Sequence, residues 1–274
     1  MNSTPTELII CGGGYSIKEY LPQLKEKLVN KFVISLNKTI EVFPNSTILN
    51  FVDCKSFYSK YKNELTNYPF IIGKHSPELA REKLKNTVLF NTVETYDRTL
   101  KTGIYSGYLA GLFALSLGIY LLDEGNIYLL GFDGGQLPVK ENSLTIPFLS
   151  NGKLQNLPVE DVTNKFKNEK EVPNIIKQGD KLYRVISHFY QGDIEHRGIG
   201  KVDFYTKNDK INRIFSCFKV ETQVKIFNIS PLSNLNTFQK LDYTTFFSNL
   251  NTEIYTQDEL RLWVKERINK INET

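Results

Sequence analysis

Three consecutive glycines stand out first, in Gly12-Gly13-Gly14-Tyr15-Ser16. They follow the apolar run Glu7-Leu-Ile-Ile-Cys11 directly. A glycine loop between a strand and a helix exposes backbone N–H groups, and the helix dipole adds partial positive charge, so phosphate is the natural ligand. The spacing is neither that of a dinucleotide fingerprint nor that of a P-loop, because no Gly-Lys-Ser/Thr follows. A tight turn that is simply glycine-rich is the competing reading. Three polar residues, Asn37, Asp53 and Asp133, each close an apolar run. A side chain at such a place can hold a ribose hydroxyl, a metal ion or a catalytic proton, or only close an Asx turn. Ser106-Gly107 precedes the long apolar stretch to Leu122, where its N–H groups could take a phosphate or its hydroxyl could cap a helix.

Of the histidines, His75 follows a strand and His188 sits in an apolar setting. His196 lies in Glu195-His-Arg-Gly-Ile-Gly200, among charges and glycines. A loop histidine so placed suits general-base chemistry near neutral pH, and a solvated loop is the alternative. No Cys-x-x-Cys, His-Glu-x-x-His or Asp-x-Asp spacing is present, so the metal clamp of many glycosyltransferases is missing.

The elements that must position these residues alternate along the chain. Apolar runs at 7–11, 32–36, 46–52, 69–72, 86–90, 127–133 and 224–229 read as strands. The run at 127–133 is apolar on successive residues, as in a parallel strand covered on both faces. Ser16-x-x-Glu19 reads as a capping box opening a helix to about Leu28, and Ser106 to Leu122 as a long buried helix. Thr256-x-x-Glu259 caps a final amphipathic helix with Leu260, Val264, Ile268 and Ile271 on one face. The pattern weakens between 134 and 172. The expected fold is α/β, a Rossmann-like, doubly wound and mostly parallel sheet with a lid-like insertion and a C-terminal helix. Residues 1–133 form the nucleotide-binding core in this reading. Residues 134–200 form a lid-like insertion or acceptor-side subdomain, and 201–274 complete the core.

At 274 residues, 41% hydrophobic and 23% charged, the chain has the composition of a globular protein and excludes overall disorder and collagen. The apolar stretch 105–122 is broken by Ser and Gly, which reads as a buried helix and no membrane span. Three cysteines make no disulfide framework, no secretory signal is visible, and a cytoplasmic, reducing setting is expected. A net charge of +4 with scattered lysines gives only a weak electrostatic case for nucleic acid.

Ile9-Ile-Cys-Gly-Gly-Gly-Tyr-Ser-Ile-Lys-Glu19 resembles the G-N-G-P-S-L-K-E opening of bacterial sialyltransferases that use CMP-sialic acid. Ser106-Gly107 with Gly118, Ile127-Tyr-Leu-Leu-Gly-Phe-Asp133 and Asn228-Ile-Ser-Pro-Leu-Ser233 are similar to three further segments of that group. The same signature marks the wider MptE-like (6-hydroxymethylpterin diphosphokinase-like) superfamily. The resemblance covers most of 7–133 and 196–243. It implies that Gly12, Gly14 and Ser16 hold phosphate, with Gly13 standing in the loop in place of the family's Asn and Tyr15 in place of its Pro. Asn37 would contact the nucleotide. Ser106, Gly107, Gly131 and Asp133 would line the same site, and Asp53 stands where the sialyltransferases have a nucleotide-binding Asn. His196 falls near the family's general base.

Two enzyme readings and one binding reading follow. The first is a metal-independent, sialyltransferase-like glycosyl transfer from a nucleotide-activated donor, with a CMP-sugar as first guess and the acceptor unspecified. In it His196 and Asp133 are the catalytic candidates, and Arg197 or Lys201 stabilises the leaving phosphate. The second is an ATP-dependent pyrophosphokinase using Mg²⁺, with Asp53 and Asp133 as candidate ligands. The third is a nucleotide-binding protein without catalysis.

Overall fold

The computed structural model describes residues 4–52, 54–77, 84–93, 103–107, 109–134, 137–140, 145–150, 153–158, 175–178, 181–186, 211–218, 220, 222–231 and 233–273. Its centre is an eight-stranded sheet. Five strands come first: β1 (Glu7–Cys11), β2 (Val33–Leu36), β3 (Ile48–Phe51), β4 (Ile71–Lys74) and β5 (Thr87–Phe90). The short β6 (Thr92–Val93) and β7 (Ile104–Tyr105) pair with each other. β8 (Glu124–Leu130) returns to the large sheet. Between it and the next sheet strand, β9 (Leu137–Lys140), β10 (Thr145–Ser150), β11 (Lys153–Pro158), β12 (Ile175–Gln178) and β13 (Lys181–Ile186) form two small antiparallel sheets. β14 (Gln223–Ile229) and β15 (Gln239–Lys240) finish the large sheet.

The order across it is β15-β14-β8-β1-β2-β3-β4-β5, and every neighbouring pair is parallel. The chain runs outward from β1 to β5, then reverses to the other side of β1 with β8 and β14. That reversal is the switch point at which doubly wound sheets bind ligands. The central strands, β1 to β3 and the carboxyl half of β8, are buried on both faces, which is why they read as largely apolar runs. Leu8, Ile10, Ile34 and Ile48 pack with α3 (Ala110–Leu121) and α5 (Gln257–Glu273). Ile9, Cys11, Val33, Tyr128 and Leu130 pack on the other face with Leu24 of α1 (Leu21–Lys27) and Phe246 of α4 (Tyr243–Asn249). α2 (Cys54–Asn67) places Tyr61 and Leu65 on Leu49, Phe51 and Ile71. Every residue from Leu112 to Leu121 is buried, so α3 is apolar all round. It lies close to the sheet because Gly118 has no side chain: a methyl there would sit 2.6 Å from Leu8 Cδ2. Among the described residues no helix is long and apolar enough to cross a membrane.

The two sequence-predicted capping boxes part company. At Thr256 the reciprocal bonds form: Thr256 N–H donates to Glu259 Oε2 at 3.0 Å, and Glu259 N–H donates to Thr256 Oγ1 at 3.2 Å. Leu260, Val264 and Ile268 are buried as expected. At Ser16 the box does not form. A 3-10 helix, Tyr15–Tyr20, precedes α1, and Pro22 supplies the true α-helical start. The long helix likewise begins at Ala110 and not at Ser106, because Ser106 and Leu109 close a turn first, with Leu109 N–H donating to Ser106 O at 2.7 Å.

Candidate functional site

β1 and β8 end side by side, with Cys11 opposite Leu130. The chain beyond each end is locked to the other. Gly12 N–H donates to Leu130 O at 2.7 Å, and Gly14 N–H donates to Gly131 O at 2.9 Å. The backbones pass so closely that side chains are excluded. A methyl on Gly14 would lie 2.4 Å from Gly131 O, and one on Gly131 would lie 2.7 Å from Gly12 O. Gly131 also has φ 66°, which favours glycine. Gly14 has φ −63°, open to any residue, so at that position space alone requires glycine.

Asp133 closes this junction. Its Oδ2 accepts the N–H of Ser16 at 3.0 Å across 117 residues of sequence, and the Tyr15 N–H also turns toward the carboxylate. Burial raises the pKa of its carboxyl above the usual carboxylate value. The bond from Ser16, the Ser230 hydroxyl and the Tyr15 N–H pull the other way. The Ser16 and Ser230 hydroxyls come near enough for this effect but miss hydrogen-bond geometry, so Asp133 Oδ1 and both hydroxyl oxygens lack a partner. Asp133 is 3% exposed.

The turn after β14 holds the same loop from the far side. Asn228 Nδ2 donates to Phe132 O at 3.0 Å, Ser233 Oγ donates to the same carbonyl at 2.7 Å, and Asn234 N–H donates to Asp133 O at 2.7 Å. Asn228, Ser233 and Asn234 therefore clamp residues 132–133. The Phe132 ring lies against both Gly12 and Gly111, where added methyls would come within 3.1 Å and 2.7 Å. It thereby draws the start of α3 toward the glycine loop.

The sequence-predicted site residues now have places. Gly12, Gly14, Ser16, Gly131 and Asp133 meet at the switch point, with Gly13, half-buried, between the two locked glycines. Asn37 follows β2, the neighbour of β1, opening a 3-10 turn at φ 49°. Thr39 of the same turn donates to Cys11 O at 3.2 Å. Ser106 is buried and Gly107, at φ 48°, makes room for Ile214, in the turn leading to Gly111. Asp53, His188, His196, Arg197 and Lys201 lie outside the described residues. His75 is an exposed loop residue, as its sequence setting predicts.

Asn50 and Tyr243 escaped the sequence reading, and Ser230, within the resembling Asn228–Ser233 segment, carried no site role there. Asn50 is fully buried near the end of β3, its Nδ2 bonded to Ile72 O at 2.9 Å and its Oδ1 unpartnered. A polar residue inside Ile48-Leu-Asn-Phe51 was the available signal. Tyr243 stacks on Tyr20 with ring centroids 3.9 Å apart. Its phenol pKa is raised, mainly by burial and then by the nearby Asp133 carboxylate, so it stays protonated. The oxygens of Ser16, Asn37, Asn50, Asp133, Asn228, Ser230 and Tyr243 are thus buried side-chain acceptors or hydroxyls without a partner. All belong to residues at or following the carboxyl ends of β1, β2, β3, β8 and β14, or packed against them. Asp133, Ser16, Ser230 and Tyr243 lie close enough to act on one another. Buried polar atoms ordinarily find full sets of partners, so under-partnered ones gathered at one edge make it a candidate ligand site.

No protein-family model matches this chain, and no curated protein matches it. A solved structure, that of the MAf glycosyltransferase from Magnetospirillum magneticum AMB-1, is similar with a TM-score of 0.50 and 13% sequence identity. The likeness covers 98% of this chain and 39% of that one, so this chain spans about two fifths of that protein. At that identity the similarity is one of fold, the α/β architecture described above.

Proposed function

We propose that the chain is a transferase that takes a sugar from a nucleotide-activated donor, with a CMP-sugar the first candidate. One observation carries the reading: unpartnered polar oxygens gather at the switch point of a parallel sheet, where such folds bind nucleotides. The similarity of fold to a protein named as a glycosyltransferase agrees with it. The sequence resemblance supplies the nucleotide class.

The geometry narrows how the donor would be held. The N–H groups of Gly12, Gly14 and Ser16 donate within the chain, so the glycine loop does not offer a full cradle of amides. Recognition then falls to hydroxyls and amide side chains: Ser16 and Tyr243 as donors, and Asn37 and Asn50 toward the hydroxyls or amino groups of the nucleoside. His196 would take the acceptor proton, and Arg197 or Lys201 would neutralise the departing phosphate. The pyrophosphokinase alternative needs carboxylates open to Mg²⁺. Asp133 is buried and already accepts the Ser16 N–H, which favours the metal-independent reading.

Hydrolysis of CMP-, UDP- and GDP-sugars, assayed with and without EDTA, tests this. The expected result is release of one nucleotide class at a rate that EDTA leaves unchanged. Absence of turnover with every donor, by folded protein, would overturn it, and EDTA-sensitive release of AMP from ATP in a parallel assay would favour the kinase.

A further inference from the structure

Asp133 lies in the loop just beyond β8 at the switch point, and its sequence setting suggests a catalytic group. Its surroundings argue for another role. The carboxylate is 3% exposed, and one of its two oxygens is already engaged within the chain. Its Oδ2 takes the Ser16 N–H at 3.0 Å, where a ligand anion would otherwise sit. A methyl on Gly14 would come within 2.6 Å of Oδ2, so the loop has been shaped around this side chain. Its own carbonyl is held by Asn234 N–H at 2.7 Å, and the preceding carbonyl by Ser233 and Asn228, so the strut cannot swing away. Among the described residues no Lys, Arg or His forms an ion pair with it.

We infer that Asp133 is the positioning residue of the glycine loop: the chain supplies its own anion to the Ser16 amide, and the ligand's anionic group is held by other donors. Backbone N–H groups that lack a partner are costly when buried, so a carboxylate there fixes the path of residues 14–16. The loop then presents one shape whether or not a ligand is bound.

Amide hydrogen exchange on the whole chain tests this, with Asp133→Ala and the shape-conserving Asp133→Asn. Asp133→Ala should speed exchange at Ser16 by roughly 5- to 100-fold, the loss of one charge-assisted bond, while the amides of α5 keep their protection. Added formate, a carboxylate small enough to replace the missing side chain, should slow Ser16 exchange in Asp133→Ala and leave the wild type unchanged. Asp133→Asn retains one acceptor and should show a smaller increase, which keeps the test available if the alanine variant does not fold. Unchanged exchange at Ser16, or an acceleration shared equally by α5 and indifferent to formate, would overturn the inference.

A second readout rests on the nucleotide reading above. Asp133→Asn should raise the donor KM and leave kcat within about threefold, whereas a catalytic acid or base would lose roughly 10² to 10⁴ in kcat. Lack of turnover in the wild type would count against the proposed activity and leave the exchange result standing.

Discussion

Replacing Gly14 with alanine should lower the melting temperature by about 6–12 °C. The added methyl has nowhere to go: Gly131 O at 2.4 Å is fixed by the Gly14 N–H itself, and Asp133 Oδ2 at 2.6 Å is buried. Overpacking of this kind costs about 1–3 kcal/mol and more where backbone must move. At the upper figure, about 3 kcal/mol, a chain of this size loses some 2–4 °C for each kcal/mol. Gly125→Ala is the matched control. Its methyl would lie 2.0 Å from Thr6 O at φ 111°, so it should destabilise the fold as severely, but at the amino end of β8, away from the switch point. Thermal unfolding checks both. The two variants should separate once nucleotide is added, because only Gly14→Ala disturbs the loop beside the orphaned oxygens. Melting of Gly14→Ala within about 2 °C of the wild type would mean that the two loops are not locked together as described.

With His196 as the general base proposed above, His196→Ala should reduce turnover by about 10² to 10⁴-fold, the usual contribution of such a group. The residue stands between Glu195 and Arg197, with Gly198 and Gly200 allowing close backbone approach to a ligand. Nucleotide affinity should change little, because the base acts on the acceptor. Steady-state kinetics at saturating donor, with a separate measurement of nucleotide affinity, check the pair of outcomes. Loss of affinity with kcat retained would make His196 a binding residue. No change in either would return it to the solvated surface and leave the transfer without a base.

The central strands of the large sheet were legible because both faces are covered, and residue after residue in 8–11 and 127–130 is apolar for that reason. The ends of elements were less so. Thr256 and Glu259 form the cap their spacing predicts, since both partners lie within one turn. Ser16 and Glu19 have the same spacing, yet a carboxylate from Asp133 takes the amide instead. Local pattern carries no trace of a partner 117 residues away. The glycines at 12, 14 and 131 were visible as residue types, but the reason for them was not: backbone-to-backbone closeness between two loops depends on the strand order. Of the small sheets of 137–158 and 175–186, the sequence offered only a strand or short helix at 178–189. Their strands carry Lys and Pro among apolar residues, without the continuous apolar run that marks a doubly covered strand. Asn50 and Tyr243 needed the fold to bring them to the same edge as Asn37 and Ser16.

The central claim is that this edge binds a nucleotide, and thermal shift with CMP measures it most directly. At a hundredfold excess over its dissociation constant a specific ligand adds about 2.7 kcal/mol, which is about 5–11 °C for a chain of this length. The wild type should show that shift with CMP. Asn37→Gly, which suits the positive φ of 49° at that position, and Tyr243→Phe, each removing one unpartnered polar atom, should lose most of it while melting near the wild type without ligand. A shift of full size in both variants, or none in the wild type with CMP, UDP, GDP or ATP, would contradict the assignment of the switch point as the nucleotide site.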